Sequence, residues 1–392
     1  MKKIFTILLL AAVFIAGINC NAVETNNKKL SKQNRLLLPE KIYAVPGVEC
    51  NIYFRNVFLA INHANYVFDV TCKFGRNDLK RWRFTPGAED GGKNFPLTLR
   101  IYDESNNLVA ESSTTVCVAP ADAGKGRKIS ILMVGDSLTN YTVYPARLYE
   151  LCKGENNPEL TMLGTRHHNP RGMEIPPEVK HEGYAGWSWN SFLTRFEGSE
   201  KKGKKFTKSK FLFKKDGKIV VSLADYLKER NYNVPDIITI QLGINDIFHA
   251  VEEDRDEKIK TILQNADTLI AAFRKDAPNA IIGIGLPTPC ANQDAFGSNV
   301  KCGQTSWGQY RNYYYLNCAM VKHFKNYDPK LFIIPGNTGL DTENNFPVKK
   351  EPVSAGTKEV ILRQSNAVHP DIAGYRQIGD VYYAWLKNML NR

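Results

Sequence analysis

The chain has 392 residues, which exceeds the size of one typical domain and suits two. Hydrophobic residues make up 43% of it and aromatic residues 11%, which is ample material for packed cores. The eight cysteines show no C-x-x-C spacing, so a zinc site is not expected. The formal net charge of +12 is strongly basic, and its meaning depends on where the cations lie along the chain.

The beginning of the chain has the pattern of a secretory signal. Met1 to Lys3 is positively charged, and Ile4 to Ala16 is apolar but too short to span a membrane. Cleavage after Ala22 would release a soluble periplasmic or extracellular protein. Alternatively, G-I-N-C resembles a bacterial lipobox in which Cys20 is lipidated, as in an outer-membrane lipoprotein, although the preceding asparagine is a poor match. We expect residues 1–22 to be a signal peptide, with membrane attachment only if Cys20 is lipidated.

Export would permit disulfide bonds in the mature protein. Seven cysteines remain after Cys20, an odd number, so at least one stays free or pairs between chains. Cys290 and Cys302 flank a loop rich in glycine, asparagine and glutamine. They are our first candidate for a disulfide bridge.

Much of the positive charge lies between Lys201 and Lys218, a segment with nine lysines. Phe206, Phe211 and Phe213 are interleaved with them, and basic residues among aromatic ones can bind nucleic acid or an acidic polymer. A solvated surface insertion is the favoured alternative. Because the protein is expected to be exported, nucleic acid is not expected as a partner, whereas an anionic polysaccharide stays possible.

The part of the chain before residue 120 predicts an all-β unit. Residues 23–36 are polar and are typical of a linker. Between residues 37 and 120, short β-prone runs alternate with turn residues, a spacing that predicts a small antiparallel β-sandwich. The strongest runs are Ile42–Val45, Asn51–Phe54, Tyr66–Val70, Leu97–Tyr102 and Ser113–Val116. A connector rich in proline, alanine and glycine follows it.

From residue 128 to 392 the pattern changes to strands that alternate with helices. Buried-type strands are expected at Ile129–Gly135, Leu160–Leu163, Ile237–Leu242, Ile281–Leu286 and Leu331–Pro335. Between them, apolar residues recur at a period of 3.6, as from Ile259 to Phe273, and a last helix is expected to begin near Pro370. This alternation predicts an α/β fold with a mostly parallel sheet covered by helices on both faces.

The first of these strands ends abruptly at Gly135-Asp136-Ser137-Leu138. A buried strand that delivers a serine onto a tight turn is how an α/β enzyme presents a nucleophile at the carboxyl edge of its sheet. The same tetrapeptide is also ordinary turn chemistry. Three later stretches decide between these interpretations.

A serine nucleophile needs a base and donors for an oxyanion. Asn245, in Gly243-Ile244-Asn245-Asp246, follows the next strand and so lies at the same sheet edge as Ser137. His369 is placed by Ser365–Pro370 immediately before the last helix. The loop H-E-G-Y-A-G-W-S, residues 181–188, contains glycines where a backbone N–H can approach a substrate.

These four stretches, in this order, resemble the blocks of the SGNH (GDSL) hydrolases over residues 128–392. The resemblance implies a three-layer, flavodoxin-like α/β/α domain and ester hydrolysis through an acyl-enzyme. It makes Ser137 the nucleophile and His369 the general base and then the general acid. The oxyanion donors would be the N–H of Ser137, the N–H of Gly186 and the side chain of Asn245. Gly186 is preferred to Gly183, because the family's glycine usually follows a small residue.

One departure from the family concerns the third member of the triad. The family normally carries Asp three residues before the histidine, and this chain has Asn366. An asparagine can accept a hydrogen bond from the imidazole and fix its tautomer, but it cannot stabilise the imidazolium by charge. We therefore expect a Ser–His pair helped by Asn366 or by a backbone carbonyl. Asp371 and Asp341 are candidates for a replacement carboxylate that the sequence does not rank.

Further residues near these blocks are candidates for substrate binding. Trp187 and Trp189 can form a sugar-stacking platform or be buried against the sheet. His249 lines the pocket or merely packs. His167 and His168 are adjacent and rarely converge on one ion, so they are assigned to a loop. No metal and no cofactor is expected, because the chemistry implied by the resemblance needs neither.

The resulting hypothesis is an exported esterase that removes acetyl groups from a polysaccharide or oligosaccharide. Residues 181–187 look like the second block of sugar-deacetylating members of the family, and an accessory β-domain is usual in such enzymes. Its partner would be an acetylated carbohydrate or another small ester. One alternative is a lipid or thioester acylhydrolase. Another is a non-catalytic carbohydrate-binding protein in which Asn366 marks a decayed active site.

Overall fold

The computed structural model describes residues 35–170, 172–196, 200–201, 204–205, 207–292, 295–296 and 304–392. The predicted signal peptide, Cys20, most of the linker and Cys302 lie outside these residues, so the corresponding predictions are untested. Within the described chain, no helix is both long and apolar enough to cross a membrane. None of the described cysteines, Cys50, Cys72, Cys117, Cys152, Cys290 and Cys318, forms a disulfide bond with another of them.

The first part of the chain forms two small sheets around a common apolar core. The elements are β1 (Lys41–Ala44), β2 (Cys50–Tyr53), α1 (Phe54–Val57), β3 (Tyr66–Cys72), β4 (Arg76–Asn77), β5 (Arg81–Phe84), β6 (Asn94–Asp103) and β7 (Leu108–Val118). Strands β1 and β7 pair in parallel, and the other pairs are antiparallel, in the orders β1-β7-β6-β3 and β2-β5-β4. The predicted antiparallel β-sandwich is therefore confirmed, with one parallel pair at its edge.

The second part of the chain is built on a six-stranded sheet in which every pairing is parallel. Its strands are β8 (Lys128–Gly135), β9 (Glu159–Leu163), β10 (Glu182–Gly183), β15 (Ile237–Gln241), β16 (Ile281–Gly285) and β17 (Leu331–Ile334). Both β9 and β10 flank β8 on one side, and β15, β16 and β17 follow on the other side, which is the 2-1-3-4-5 order of flavodoxin-like folds. Three hairpins lie outside this sheet: β11–β12 (Glu200–Lys201, Lys204–Lys205), β13–β14 (Leu212–Lys215, Lys218–Val221) and β18–β19 (Val348–Pro352, Val360–Gln364).

Helices cover both faces of this sheet, which confirms the predicted α/β architecture. The helices are α2 (Ser137–Asn140), α3 (Val143–Cys152), α4 (Trp189–Thr194), α5 (Leu223–Arg230), α6 (Ile244–Ile247), α7 (Arg255–Asp276), α8 (Ser306–Phe324) and α9 (Ile372–Leu390). Helices α3 and α9 pack on each other, whereas α4, α5 and α8 pack against α7, whose apolar stripe is buried. Helix α9 begins two residues after Pro370, because the side chain of Asp371 caps it by accepting from the N–H of Gly374 at 2.9 Å.

The sandwich packs directly on the α/β part. Nδ2 of Asn56 donates to the carbonyl of Leu340 at 2.7 Å, and the hydroxyl of Tyr310 in α8 donates to the carbonyl of Arg55 at 2.6 Å. Both Asn56 and Tyr310 are buried, so each bond satisfies a polar group that would otherwise be costly to bury. The predicted division into domains at residues 120 and 128 stays a prediction.

The described part of the lysine-rich segment is anchored by its phenylalanines. Phe211 is fully buried and packs against Tyr226 and Phe273, with ring centroids 4.9 Å away in both cases. Phe213 also packs on the core. Phe206 lies outside the described residues. The two described phenylalanines therefore belong to the core and are not placed to stack on a nucleic acid base.

Candidate active site

The nucleophile candidate, Ser137, lies at the carboxyl end of the central strand. Strand β8 ends at Gly135, and the carboxylate of the buried Asp136 caps α2 by accepting from the N–H of Leu138 at 2.9 Å. Ser137 is the first residue of this one-turn helix. Its backbone N–H therefore has no partner within the helix, and its side chain stands at the rim of the sheet.

The sheet register brings the predicted blocks to the same edge. Gly135 pairs with Gly183 of β10 on one side and with Gln241 of β15 on the other. The loop with Gly186 and the turn with Asn245 follow these two partners directly. Both therefore flank Ser137 in a cleft of about 660 Å³, which His369 and Asn366 also line.

Ser137 and His369 are in direct contact. The Oγ of Ser137 lies 2.8 Å from Nε2 of His369, within the distance required of a nucleophile and its base. Burial lowers the pKa of His369 below its ordinary value of 6.5. The imidazole is therefore neutral at neutral pH and can accept the serine proton.

Asn366 does not form the predicted bond to the imidazole. Its Oδ1 accepts instead from the backbone N–H groups of Val368, at 3.0 Å, and His369, at 2.9 Å. The residue three positions before the histidine thus holds the turn that carries it, and its oxygen is already occupied. In the described part of the chain, Nδ1 of His369 has no hydrogen-bond acceptor.

Neither candidate for a replacement carboxylate takes this place. Asp341 accepts from the backbone N–H groups of Glu343 and Asn344, both at 3.0 Å. Asp371 caps α9 as described above. The structure therefore brings together a Ser–His pair, and no described side chain forms a hydrogen bond with Nδ1 of His369 as a third member of a triad would.

The residues that carry the three predicted oxyanion donors line the same cleft. The N–H groups of Ser137 and Gly186 have no acceptor among the described residues. Nδ2 of Asn245 donates one hydrogen to the carbonyl of Trp187 at 2.8 Å, which leaves the second hydrogen of its amide free. These groups are the donors that a tetrahedral oxyanion requires.

The two glycines of the second block have different roles in the structure. A Cβ on Gly183 would overlap the backbone of Thr139 and Asn140, so this glycine permits close packing of β10 on α2. Gly186 has a φ of +74° and open space around it, and it lines the cleft. Its conformation is left-handed, which only glycine adopts at little cost.

The Asn245-Asp246 dipeptide holds the Gly186 loop from one side. While Asn245 binds the carbonyl of Trp187, the carboxyl group of Asp246 accepts from the N–H of Trp189 at 3.1 Å. Burial raises the pKa of Asp246 to about 7. The two consecutive side chains thus clamp the segment that follows Gly186 at two points.

A buried polar network holds the same loop from the other side. Nε2 of His181 lies 2.9 Å from Oγ1 of Thr142, and Nδ1 of His181 accepts from the N–H of Gly183 at 3.0 Å. Glu182 accepts from the hydroxyl of Tyr226 at 2.8 Å and also from that of Tyr184. Burial lowers the pKa of His181 to about 3, so the imidazole is a neutral structural group. No pattern in the sequence had indicated a role for these side chains.

The two tryptophans of the second block do not form a sugar platform. Trp187 and Trp189 are buried, and the ring of Trp187 stacks on Tyr184 with centroids 4.2 Å apart. The stacking prediction is wrong, and the alternative of burial against the sheet is observed. Both side chains belong to the apolar core of the α/β part, and their backbone groups are bound by Asn245 and Asp246.

Other cleft residues come from positions before and after the predicted motifs. His249 and Phe248 line the cleft, with their ring centroids 5.0 Å apart. Asn140 and Tyr141 line it as well. Neither was predicted, although their position within one helical turn of Ser137 was a signal that could have identified them. None of the described lining residues comes from residues 37–118. The described residues contain no group of three or more His, Cys, Asp or Glu side chains that could hold a metal ion.

No family model and no curated protein matches the chain. It is similar to the crystal structure of a carbohydrate esterase family 3 from Talaromyces cellulolyticus, with 14% identity, coverage of 67% of this chain and 98% of that chain, and a TM-score of 0.41. It is also similar to a carbohydrate acetylesterase family member from Sinorhizobium meliloti, with 16% identity, coverage of 67% of this chain and 100% of that chain, and a TM-score of 0.39. A possible lipase from Chitinophaga pinensis has 13% identity, coverage of 67% of this chain and 99% of that chain, and a TM-score of 0.36. Similarities at this level do not establish an activity for this chain.

The low pKa of His369 predicts the pH dependence of any reaction that uses it as a base. The rate constant kcat/KM for a small ester should rise with pH through a midpoint below 6.5, the ordinary value, and then stay level through neutral pH. Hydrolysis of ethyl acetate followed from pH 4 to 9 measures this. A midpoint above 6.5 would contradict the burial of a neutral imidazole.

The clamp predicts that Asp246 positions the Gly186 loop. Asp246→Ala removes the acceptor for the N–H of Trp189 and should lower kcat for ethyl acetate about tenfold, less than loss of an oxyanion donor itself. Asp246→Asn keeps an acceptor oxygen and should retain most of the activity. Asp256→Ala, at a side chain that is 85% exposed, is the matched control. Equal losses in the two Asp246 variants would argue against positioning through this bond.

Proposed function

We propose that this protein is a serine ester hydrolase that works through an acyl-enzyme. The observation that carries the proposal is the 2.8 Å contact between Oγ of Ser137 and Nε2 of His369, in a cleft with three available donors. A nucleophile, its base and a set of oxyanion donors are the parts that acyl transfer needs. The two described aromatic side chains beside them, Tyr141 and Phe248, fit an organic ester.

The first half of the reaction transfers the acyl group to the serine. Ser137 Oγ attacks the ester carbonyl carbon while its proton passes to Nε2 of His369. The carbonyl oxygen becomes an oxyanion that receives hydrogen bonds from the N–H of Ser137, the N–H of Gly186 and Nδ2 of Asn245. The C–O bond to the alcohol then breaks, and the imidazolium returns the proton to the leaving oxygen.

The second half releases the acid. A water molecule gives a proton to Nε2 of His369 as its oxygen attacks the acyl carbon, and a second oxyanion forms at the same donors. Collapse of this intermediate breaks the bond to Ser137 Oγ, which recovers its proton from the imidazolium. The products are one alcohol and one carboxylic acid, and no redox step occurs.

The substrate class that we propose is an acetylated polysaccharide or oligosaccharide. Support comes from the Gly-rich second block, which resembles that of sugar-deacetylating esterases, and from the expected export of the protein. We propose accordingly that the protein acts in the periplasm or outside the cell, or at the outer membrane if Cys20 is lipidated.

A second candidate function, carbohydrate binding without catalysis, is favoured by one observation. Nδ1 of His369 has no acceptor in the described chain, and Asn366 is engaged with the backbone. A triad whose third member is replaced by an amide loses much of its rate, about 10⁴-fold in one serine protease. An ester hydrolase needs Ser137 for turnover, whereas a non-catalytic carbohydrate-binding protein does not use Ser137 as a nucleophile.

Ser137→Ala tests the proposed function directly. It should lower kcat for ethyl acetate and for acetylated xylotriose by at least about 10³-fold, because the nucleophile is lost while the oxyanion donors remain. Acetate release measures this, and thermal unfolding checks that the variant is folded. Wild-type hydrolysis that is indifferent to Ser137 would overturn the assignment.

Asn366→Asp tests the weakened triad. A carboxylate near the imidazolium stabilises it, so we expect kcat to rise about tenfold and the pH midpoint of kcat/KM to move upward. Asn233→Asp, at an exposed asparagine that does not line the cleft, is the control. An inactive wild type that becomes active through Asn366→Asp would instead support the binding protein with a decayed site.

A further inference from the structure

Tyr141 is an aromatic residue close to Ser137, the proposed nucleophile. The N–H of Tyr141 donates to the carbonyl of Ser137 at 3.0 Å, which places the two residues one helical turn apart. Residues at this spacing lie on the same face of a helix. Tyr141 lines the cleft, and 38% of its surface is exposed, a high value for a large hydrophobic residue.

The ring of Tyr141 is held in a fixed orientation. It stacks on the ring of Tyr375 with centroids 5.0 Å apart and an angle of 7° between the planes. Tyr375 is fully buried in the first turn of α9, so it provides a rigid base. The ring of His168 lies 6.0 Å from that of Tyr141 and limits its motion further. A side chain held in this way loses little entropy when a ligand binds to it.

The position of Tyr141 relative to the catalytic pair indicates which part of an ester it meets. The leaving alcohol must lie within reach of Nε2 of His369, because the imidazolium protonates it. His369 lies three residues before α9, and Tyr375 belongs to the first turn of the same helix. Tyr141 therefore stands on the side of the leaving group, whereas Gly186 and Asn245 follow β10 and β15 and mark the oxyanion side.

We propose that Tyr141 is the platform on which the sugar ring of the ester alcohol stacks. A pyranose ring presents a face of C–H groups that packs on an aromatic ring, and its hydroxyls stay available for water and polar neighbours. Tyr141 thus takes the role that the sequence suggested for Trp187 and Trp189. The inference rests on the proposed function, since it names the alcohol part of the same substrate.

The kinetic test compares an ester with a sugar ring and one without. Tyr141→Ala should lower kcat/KM for acetylated xylotriose about tenfold more than for ethyl acetate, mainly through KM, because the contact between the sugar ring and the aromatic ring is lost. Tyr141→Phe keeps the ring and should preserve the ratio of the two constants. Tyr327→Ala is the matched control, because Tyr327 is 37% exposed and does not line the cleft.

Three results would overturn the proposal: a ratio unchanged by Tyr141→Ala, an equal loss in Tyr141→Phe, or a loss that grows with acyl-chain length across ethyl esters. The last result would place Tyr141 against the acyl chain of a lipid ester.

A binding measurement separates this inference from the proposed function. Calorimetry with unacetylated xylohexaose compares Ser137→Ala with the double variant Ser137→Ala, Tyr141→Ala, and we expect about tenfold weaker binding in the double variant. If the hexaose binds in this way but no ester is hydrolysed, only the enzymatic function fails. If ethyl acetate is hydrolysed through Ser137 and neither variant binds the hexaose, only the role of Tyr141 fails.

Discussion

The parallel pairing of β8 with β10 and β15 is the constraint on which the site depends. Gly135 lies in register with Gly183 and Gln241, so three loops leave the sheet at the same edge and on neighbouring strands. Parallel strands all point their carboxyl ends in one direction, which gathers residues distant in the chain at one crevice. A shift of this register by one residue would turn the side chains of β8 to the opposite faces and move Ser137 away from His369.

The loop of the second block is held by polar side chains, of which His181 is fully buried and Asn245 and Asp246 are partly buried. Asn245 and Asp246 bind the backbone on the far side of Gly186, and His181 binds it on the near side. Buried polar groups are costly unless they are paired, and these groups pair with the backbone of the loop itself. The same bonds that satisfy them fix the orientation of the Gly186 N–H. Rigid presentation of an oxyanion donor is what makes it effective in catalysis.

The turn before His369 shows a different compromise. Asn366 satisfies two backbone N–H groups with one oxygen, and this places Nε2 of His369 beside Ser137. The cost is that nothing in the described chain accepts from Nδ1 or offsets a positive charge on the ring. The pair is therefore arranged for proton transfer, while the imidazolium is stabilised less than in a complete triad. Burial, which lowers the pKa of His369, also disfavours the imidazolium, since it favours the neutral ring.

Local patterns determined the fold class and indicated where the proposed nucleophile and base lie. The change from two-residue to 3.6-residue periodicity separated the sandwich from the α/β part, because burial on one face imposes that period on the sequence. Gly135 to Leu138 and the histidine before α9 were identified because they stand at element ends, where side chains reach a sheet edge.

Tertiary packing decided the rest of the site. Whether Trp187 and Trp189 faced solvent depended on backbone bonds to Asn245 and Asp246, more than 50 residues later. The oxygen of Asn366 had two possible partners close in the chain, and only the geometry of the turn selected the backbone. Tyr141 gained its place in the cleft through Tyr375, which is distant in sequence. These are contacts between residues far apart, and no single stretch of sequence contains both partners.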